Sequence, residues 1–144
     1  KDDINAEELK RFYIHSINYA IEDIFMKDED VKKILKAGMN APTARNLKPF
    51  EFVVVRNKNT LLKLSEMKKN SYFAKDSNVT IVLLARELSD YWQQDLGAVS
   101  ENMLLESTRL GIGSCWVGEI LSKASEVKST LGIDNNNIEI RKKQ

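Results

Sequence analysis

The chain has 144 residues, 42% of them hydrophobic and 30% charged, and 22 basic against 21 acidic side chains leave a formal charge of +1. That much apolar material supports a core and excludes a disordered segment, while near-neutrality removes any bulk electrostatic reason to bind nucleic acid or an anionic membrane. One cysteine and one histidine cannot build an internal disulfide or a zinc site. We therefore expect a single domain over residues 1–144, with no metal, no nucleic-acid partner and no membrane. The longest nearly apolar run, Val79 to Ala85, is only about a third of a membrane span. The charged opening Lys1-Asp2-Asp3 and the lone cysteine make a cytoplasmic location the expectation.

From Asn5 to about Ile24, apolar residues recur at spacings of three and four (Leu9, Phe12, Tyr13, Ile17, Ala20, Ile21, Ile24), and this predicts helix. Lys27-Asp28-Glu29-Asp30 offers a start for the next helix, with acidic groups where the helix dipole favours them. Val31, Ile34, Leu35 and Met39 continue it until Asn40-Ala41-Pro42 stops it. A polar loop, Ala41 to Pro49, then feeds Phe50-Glu51-Phe52-Val53-Val54-Val55, an aromatic and β-branched run that reads as a buried strand. Leu61, Leu62, Leu64 and Met67 suggest a short helix, and Val79 to Leu84 a second core strand. The longest helix runs from about Asp90 to Leu110 and carries Trp92, Leu96, Val99, Met103 and Leu110, with Leu104 and Leu105 widening its apolar face. Gly111 suits the position just past its end. Ser114-Cys115-Trp116-Val117 reads as a short strand, Lys123 to Leu131 as a helix, and Ile138-Glu139-Ile140 as a final strand. Interleaved helices and strands point to a layered α+β or α/β domain.

Few residues announce chemistry. Cys115 sits in an apolar strand, where a buried, inert thiol is the ordinary reading. His15 has no second ligand at metal spacing, and neither residue lies in a nucleophile signature. Gly111-Ile112-Gly113 follows a helix and opens a strand, the reverse of a dinucleotide fingerprint, so it reads as a helix stop with a tight turn. The segment Ala41-Pro42-Thr43-Ala44-Arg45-Asn46-Leu47-Lys48-Pro49-Phe50 differs from these. It supplies a hydroxyl, an amide and two cations within six residues, on a loop between a helix and a core strand, where ligand-binding groups concentrate.

Three stretches together resemble the flavin-dependent nitroreductase family. Ile34 to Val53 is similar to the family's helix, its Ala-Pro-Ser-x-x-Asn-x-Gln-Pro-Trp loop and the strand that follows. Gln94-Asp95-Leu96-Gly97-Ala98-Val99-Ser100-Glu101-Asn102-Met103-Leu104-Leu105 resembles its central helix. Leu110-Gly111-Ile112-Gly113-Ser114-Cys115-Trp116-Val117-Gly118 is similar to its Leu-Gly-x-Gly-Ser-x-Trp-x-Gly.

The resemblance implies an α+β fold with a central, mostly antiparallel sheet flanked by helices, and a homodimer whose long helix packs on its twin with FMN at the interface. It implies a ping-pong oxidoreductase in which hydride passes from NAD(P)H to flavin N5 and then to a small-molecule acceptor such as a nitroaromatic or quinone. The flavin carries the chemistry, so no side chain is expected to be catalytic. By position, Pro42 and Thr43 stand where the family has Pro-Ser, and Asn46 matches its asparagine at the isoalloxazine edge. Lys48 replaces the usual glutamine; at the flavin's pyrimidine end its charge would favour the anionic reduced form. Trp116, Val117 and Gly118 would present backbone groups to the ring. The family's Arg-Ser-x-Arg phosphate site corresponds to His15-Ser16-Ile17-Asn18, which exchanges two guanidiniums for an imidazole and an amide. Arg141 could stand for the family's basic C-terminal residue. These substitutions motivate an alternative, a degenerate member acting as a non-catalytic flavin- or small-ligand-binding dimer.

Overall fold

The computed structural model describes residues 13–21, 26–85, 90–118, 123–133 and 138–142. Its elements are β1 (Tyr13–Ile21), α1 (Asp28–Met39), a 3-10 turn (Ala44–Asn46), β2 (Phe50–Val55), α2 (Lys58–Ser65), a 3-10 segment (Lys69–Asp76), β3 (Val79–Ala85), α3 (Trp92–Arg109), β4 (Gly113–Val117), α4 (Ala124–Ile133) and β5 (Ile138–Lys142). The strands form one sheet in the order β4-β1-β3-β2-β5, and each pairing is antiparallel.

Every residue of β2 and of β3 is buried, because helices cover both faces of the sheet. Side chains alternate between the faces, as strand geometry requires. Phe52, Val54, Ile81 and Leu83 join the core beneath α1 and α3, with Ile34, Leu96, Val99 and Met103. Val53, Val55, Val82 and Leu84 point the other way, onto Leu61 and Leu64 of α2 and Val127 and Leu131 of α4. This double cover explains why both strands read as continuous apolar runs rather than as alternating ones.

The first sequence expectation fails. Tyr13–Ile21 is a strand, not part of a helix from Asn5 to Ile24; residues 5–12 and 22–24 lie outside the described residues. The segment is rich in β-branched and aromatic residues, and Ile17, Tyr19 and Ile21 also satisfy a period of two, so local pattern alone was ambiguous. The sheet resolves it. β1 fills the slot between β3 and β4, where a helix would have left the backbone of two strands unpaired. The register slips between Ile14 and Ser16, which makes His15 the extra residue of a β-bulge.

Other boundaries agree closely with the sequence. Asp28, Glu29 and Asp30 occupy the first turn of α1, and Asp28 takes a 2.9 Å bond from the Arg56 guanidinium. α3 ends as its sequence suggests: Gly111 has φ +77°. Its N–H donates to Thr108 O at 3.0 Å, while Ile112 N–H reaches back to Ser107 O at 2.8 Å. That pair of bonds satisfies carbonyls that the helix end would otherwise leave open.

α1 and α3 approach most closely at Gly38. A Cβ there would lie 2.9 Å from Met103 Cγ and 3.1 Å from Val99 Cγ1. Alongside, Asn102 Nδ2 donates to Ala37 O at 3.1 Å. We expect Gly38→Ala to destabilise the protein by about 1 kcal/mol in urea unfolding, because overpacking costs roughly 1–3 kcal/mol and outweighs a helix-propensity gain of at most about 1. Gly97→Ala, where the added Cβ would meet Trp116 at an ordinary 3.8 Å, should be neutral or mildly stabilising in the same measurement.

Candidate functional site

The loop after α1 is built from short polar contacts. The Thr43 hydroxyl oxygen accepts from Lys48 N–H at 2.9 Å, closing the loop between residues five positions apart. Asn46 N–H donates to Thr43 O at 2.9 Å and Leu47 N–H to Ala44 O at 3.1 Å. Arg45, Asn46 and Lys48 all have positive φ, at 52°, 55° and 48°. For arginine and lysine this left-handed backbone costs roughly 1–2 kcal/mol each, whereas asparagine tolerates it better. The outcome is a raised tip on which Pro42, Arg45 and Asn46 are exposed while Thr43 and Lys48 are half-buried.

Asp95 fastens this loop from the first turn of α3. Both of its carboxylate oxygens accept from Ala44 N–H, each at 3.1 Å, and the residue is only 8% exposed. Sequence reading placed Asp95 in the central-helix motif but gave it no role. A lone carboxylate facing a loop 51 residues away leaves no spacing signal. The only available hint was its place near a helix start, where a negative charge is favoured.

Sheet register places the remaining candidates at different depths from the loop: Ser16 and Arg141 lie level with Leu83, Val117 level with Val82 at the middle of β3, and Asn18 and Trp116 level with Ile81 beyond it. Phe50, which follows the loop, is paired with Ala85, and so is Tyr13. Ser16, Leu83, Phe52 and Arg141 share one row across the sheet. Val117 lies opposite Ile17 and Trp116 opposite Asn18, so Gly118 follows just beyond. Ser16, Asn18, Trp116, Val117 and Gly118 are thus on adjoining strands, with His15 at the bulge beside them. Arg141 shares the row of Ser16 but sits on the opposite edge strand, three strand spacings or about 14 Å from β1.

Between the loop and β4 stands the N-terminal half of α3. Asp95 holds the loop, and Gly97 faces the Trp116 ring. Trp116 remains 39% exposed. Among the described residues β4 is an edge strand, paired with β1. The Lys48 ammonium donates to Met39 O at 3.3 Å, capping α1. Cys115 is half-buried rather than fully buried. It lies opposite Tyr19, four residues along β1 from His15 and so about 13 Å away, which rules out a Cys–His dyad.

The donor set suits an FMN isoalloxazine, which needs neutral donors and acceptors along one edge: the Asn46 amide and the Thr43 hydroxyl offer them. Among the described residues no cluster could hold a metal ion, and no helix is long and apolar enough to cross a membrane. A separate cavity of about 560 Å³ lies on the other face of the sheet, between α2 and α4, lined by Lys63, Glu66, Met67, Glu126, Ser129 and Thr130. It shares no residue with the loop.

Comparison with known proteins agrees with this architecture. The family model described as "Nitroreductase family" matches residues 21–77 and 63–140. A protein of Archaeoglobus fulgidus, provisionally named NADH dehydrogenase/NAD(P)H nitroreductase, is 38% identical over 137 residues, which cover 90% of this chain and 79% of that protein. Among solved structures, an FMN-dependent nitroreductase from Clostridium difficile superposes with a TM-score of 0.70 at 26% identity, covering 92% of this chain and 80% of that one. A provisionally named nitroreductase from Desulfovibrio desulfuricans, crystallised with FMN, gives a TM-score of 0.70 at 26% identity, covering 97% and 83%.

The loop geometry yields a direct test. Thr43→Val removes the acceptor for Lys48 N–H at nearly constant volume, a loss of about 1 kcal/mol. Exchange of that amide should accelerate about fivefold to tenfold, whereas Thr43→Ser should leave it near the wild-type rate.

Proposed function

The chain belongs to the nitroreductase family, and on that premise we propose that it is an FMN-dependent oxidoreductase that moves hydride from NAD(P)H to nitroaromatic or quinone-type acceptors in a ping-pong cycle. The carrying observation is the strained loop Thr43–Lys48, held by Asp95 on α3 two residues before the Gly97 that faces the Trp116 ring. FMN would supply the redox chemistry, accepting and donating hydride at N5. The protein's part is to bind and orient. Asn46 and Thr43 offer an amide and a hydroxyl to the ring edge, and Val117 and Gly118 offer backbone groups that need no rotamer ordering. The exposed face of Trp116 shields the site from water. His15, Ser16 and Asn18 of β1 would be the candidates for the phosphate, by their place in the motif, with a bulge in the backbone at His15.

We read residues 1–144 as one domain that pairs with a second copy through α3. Leu105 on α3 is 60% exposed and Leu104 half-buried, on the side of the helix away from Leu96, Val99 and Met103. A twin helix would cover this apolar strip. Leu105→Glu should convert a dimeric mass in light scattering to a monomeric one; a monomeric wild type would refute the pairing.

The replacement of two arginines by His15 and Asn18 supports a second reading, a non-catalytic dimer that binds flavin or another small ligand. One experiment separates the two. Purified protein mixed with FMN and freed of excess should keep flavin absorbance and oxidise NAD(P)H when a quinone or nitroarene is added. A colourless wild type, beside a His15→Arg/Asn18→Arg variant that retains flavin, would favour the second reading.

A further inference from the structure

The geometry points to Asp95 as the positioning residue of the site: its carboxylate, fixed on α3, holds Ala44 and thereby keeps Arg45 and Asn46 in the left-handed backbone that presents the loop to the flavin. This rests on the flavin reading above, and the two can fail separately. The contacts Thr43–Lys48, Asn46–Thr43 and Leu47–Ala44 lie within the loop, and Lys48–Met39 ties it to the helix just before it. Such local bonds fix the loop's shape but not its place against α3. The Asp95–Ala44 contact spans 51 residues and does fix it. It also offsets strain: exposed side chains at Arg45 and Asn46 gain no packing to compensate for a positive φ.

Burial makes this a commitment. Asp95 is 8% exposed and, among the described residues, has no ion-pair partner. A carboxylate so enclosed is retained at a desolvation cost, offset by the Ala44 N–H and by the positive end of α3, whose first turn it occupies. A hydrophobic residue would fill the position without that cost but could not accept the Ala44 hydrogen bond.

The test uses the full chain and two readouts. Trypsin cuts after arginine, so cleavage of the Arg45–Asn46 bond reports release of the loop whether or not flavin binds. Fluorescence titration with FMN reports the site. Asp95→Ala should accelerate cleavage at that bond and raise the FMN dissociation constant, each by about tenfold, the loss expected for one charge-assisted hydrogen bond. Asp95→Asn keeps an acceptor oxygen and should stay within about threefold of wild type in both.

Unchanged cleavage in Asp95→Ala would overturn the tether. Equal acceleration at every cleavage site would reduce Asp95 to a general stability role and overturn the proposal. Faster cleavage with unaltered FMN affinity would overturn the positioning role. An Asp95→Asn variant that behaves like Asp95→Ala would replace positioning by a charge effect. A wild-type chain that takes up no FMN would sink the flavin reading, and the trypsin comparison would still decide whether Asp95 holds the loop.

Discussion

The close approach of α1 to α3 at Gly38 is the constraint on which the rest of the site depends. With no side chain at Gly38, Met103 and Val99 settle against the backbone of α1, and Asn102 bonds Ala37 O in the same contact. The position of α1 against α3 sets where α1 ends, and so where the loop from Ala41 begins. Only from that starting point does Ala44 N–H fall within reach of Asp95. A wider helix spacing would leave the Asp95 carboxylate buried without its partner, and the loop would lose its hold on α3.

The sheet supplies the second half of the arrangement. β2 and β3 are enclosed on both faces and give the structure its rigid middle, while β1 and β4 extend it to one side and β5 to the other. Because all the pairings are antiparallel, β1 and β2 start at one end of the sheet and β4 runs toward that end. The loop feeds β2 there and the His15 bulge lies in β1 near it, while β4 leaves the sheet after Val117, level with the middle of β3. Segments distant in sequence are gathered by the sheet's register and by the Asp95–Ala44 bond. The opposite face, with α2, α4 and the cavity between them, contributes to the core but brings none of these groups.

The loop's chemistry and its conformation pull in different directions. Glycine would suit positions 45, 46 and 48 better than arginine, asparagine and lysine, yet all three carry side chains at positive φ. The Thr43 hydroxyl and the Lys48 ammonium act locally to close the loop, which draws Lys48 toward the end of α1. Asn46 is the side chain left exposed with the functional groups a flavin edge would use.

Much of this was readable in the sequence, where local pattern decides the outcome. Phe50–Val55 and Val79–Ala85 are strands because continuous β-branched and aromatic runs have few alternatives. α3 and its stop at Gly111 follow from periodicity and from the backbone freedom of a single glycine. Ala41–Phe50 and Gly113–Gly118 are legible as motifs through their resemblance to the nitroreductase family, whose model matches residues 21–77 and 63–140. Three features required the tertiary structure. Tyr13–Ile21 satisfies both helical and strand periods, and only the unpaired edges of β3 and β4 select the strand. Arg141 shares a row with Ser16 but stands about 14 Å away, because strand order is set by long-range packing that spacing does not encode. Asp95 gains its role from a backbone N–H 51 residues distant, a pairing that exists only once α1 and α3 have closed on Gly38. The sequence by itself determined the elements and the family motifs, since these depend on interactions within a few residues. The tertiary structure alone decided strand order, the fate of β1 and the tether on the loop, since each depends on contacts between segments whose separation along the chain hides them.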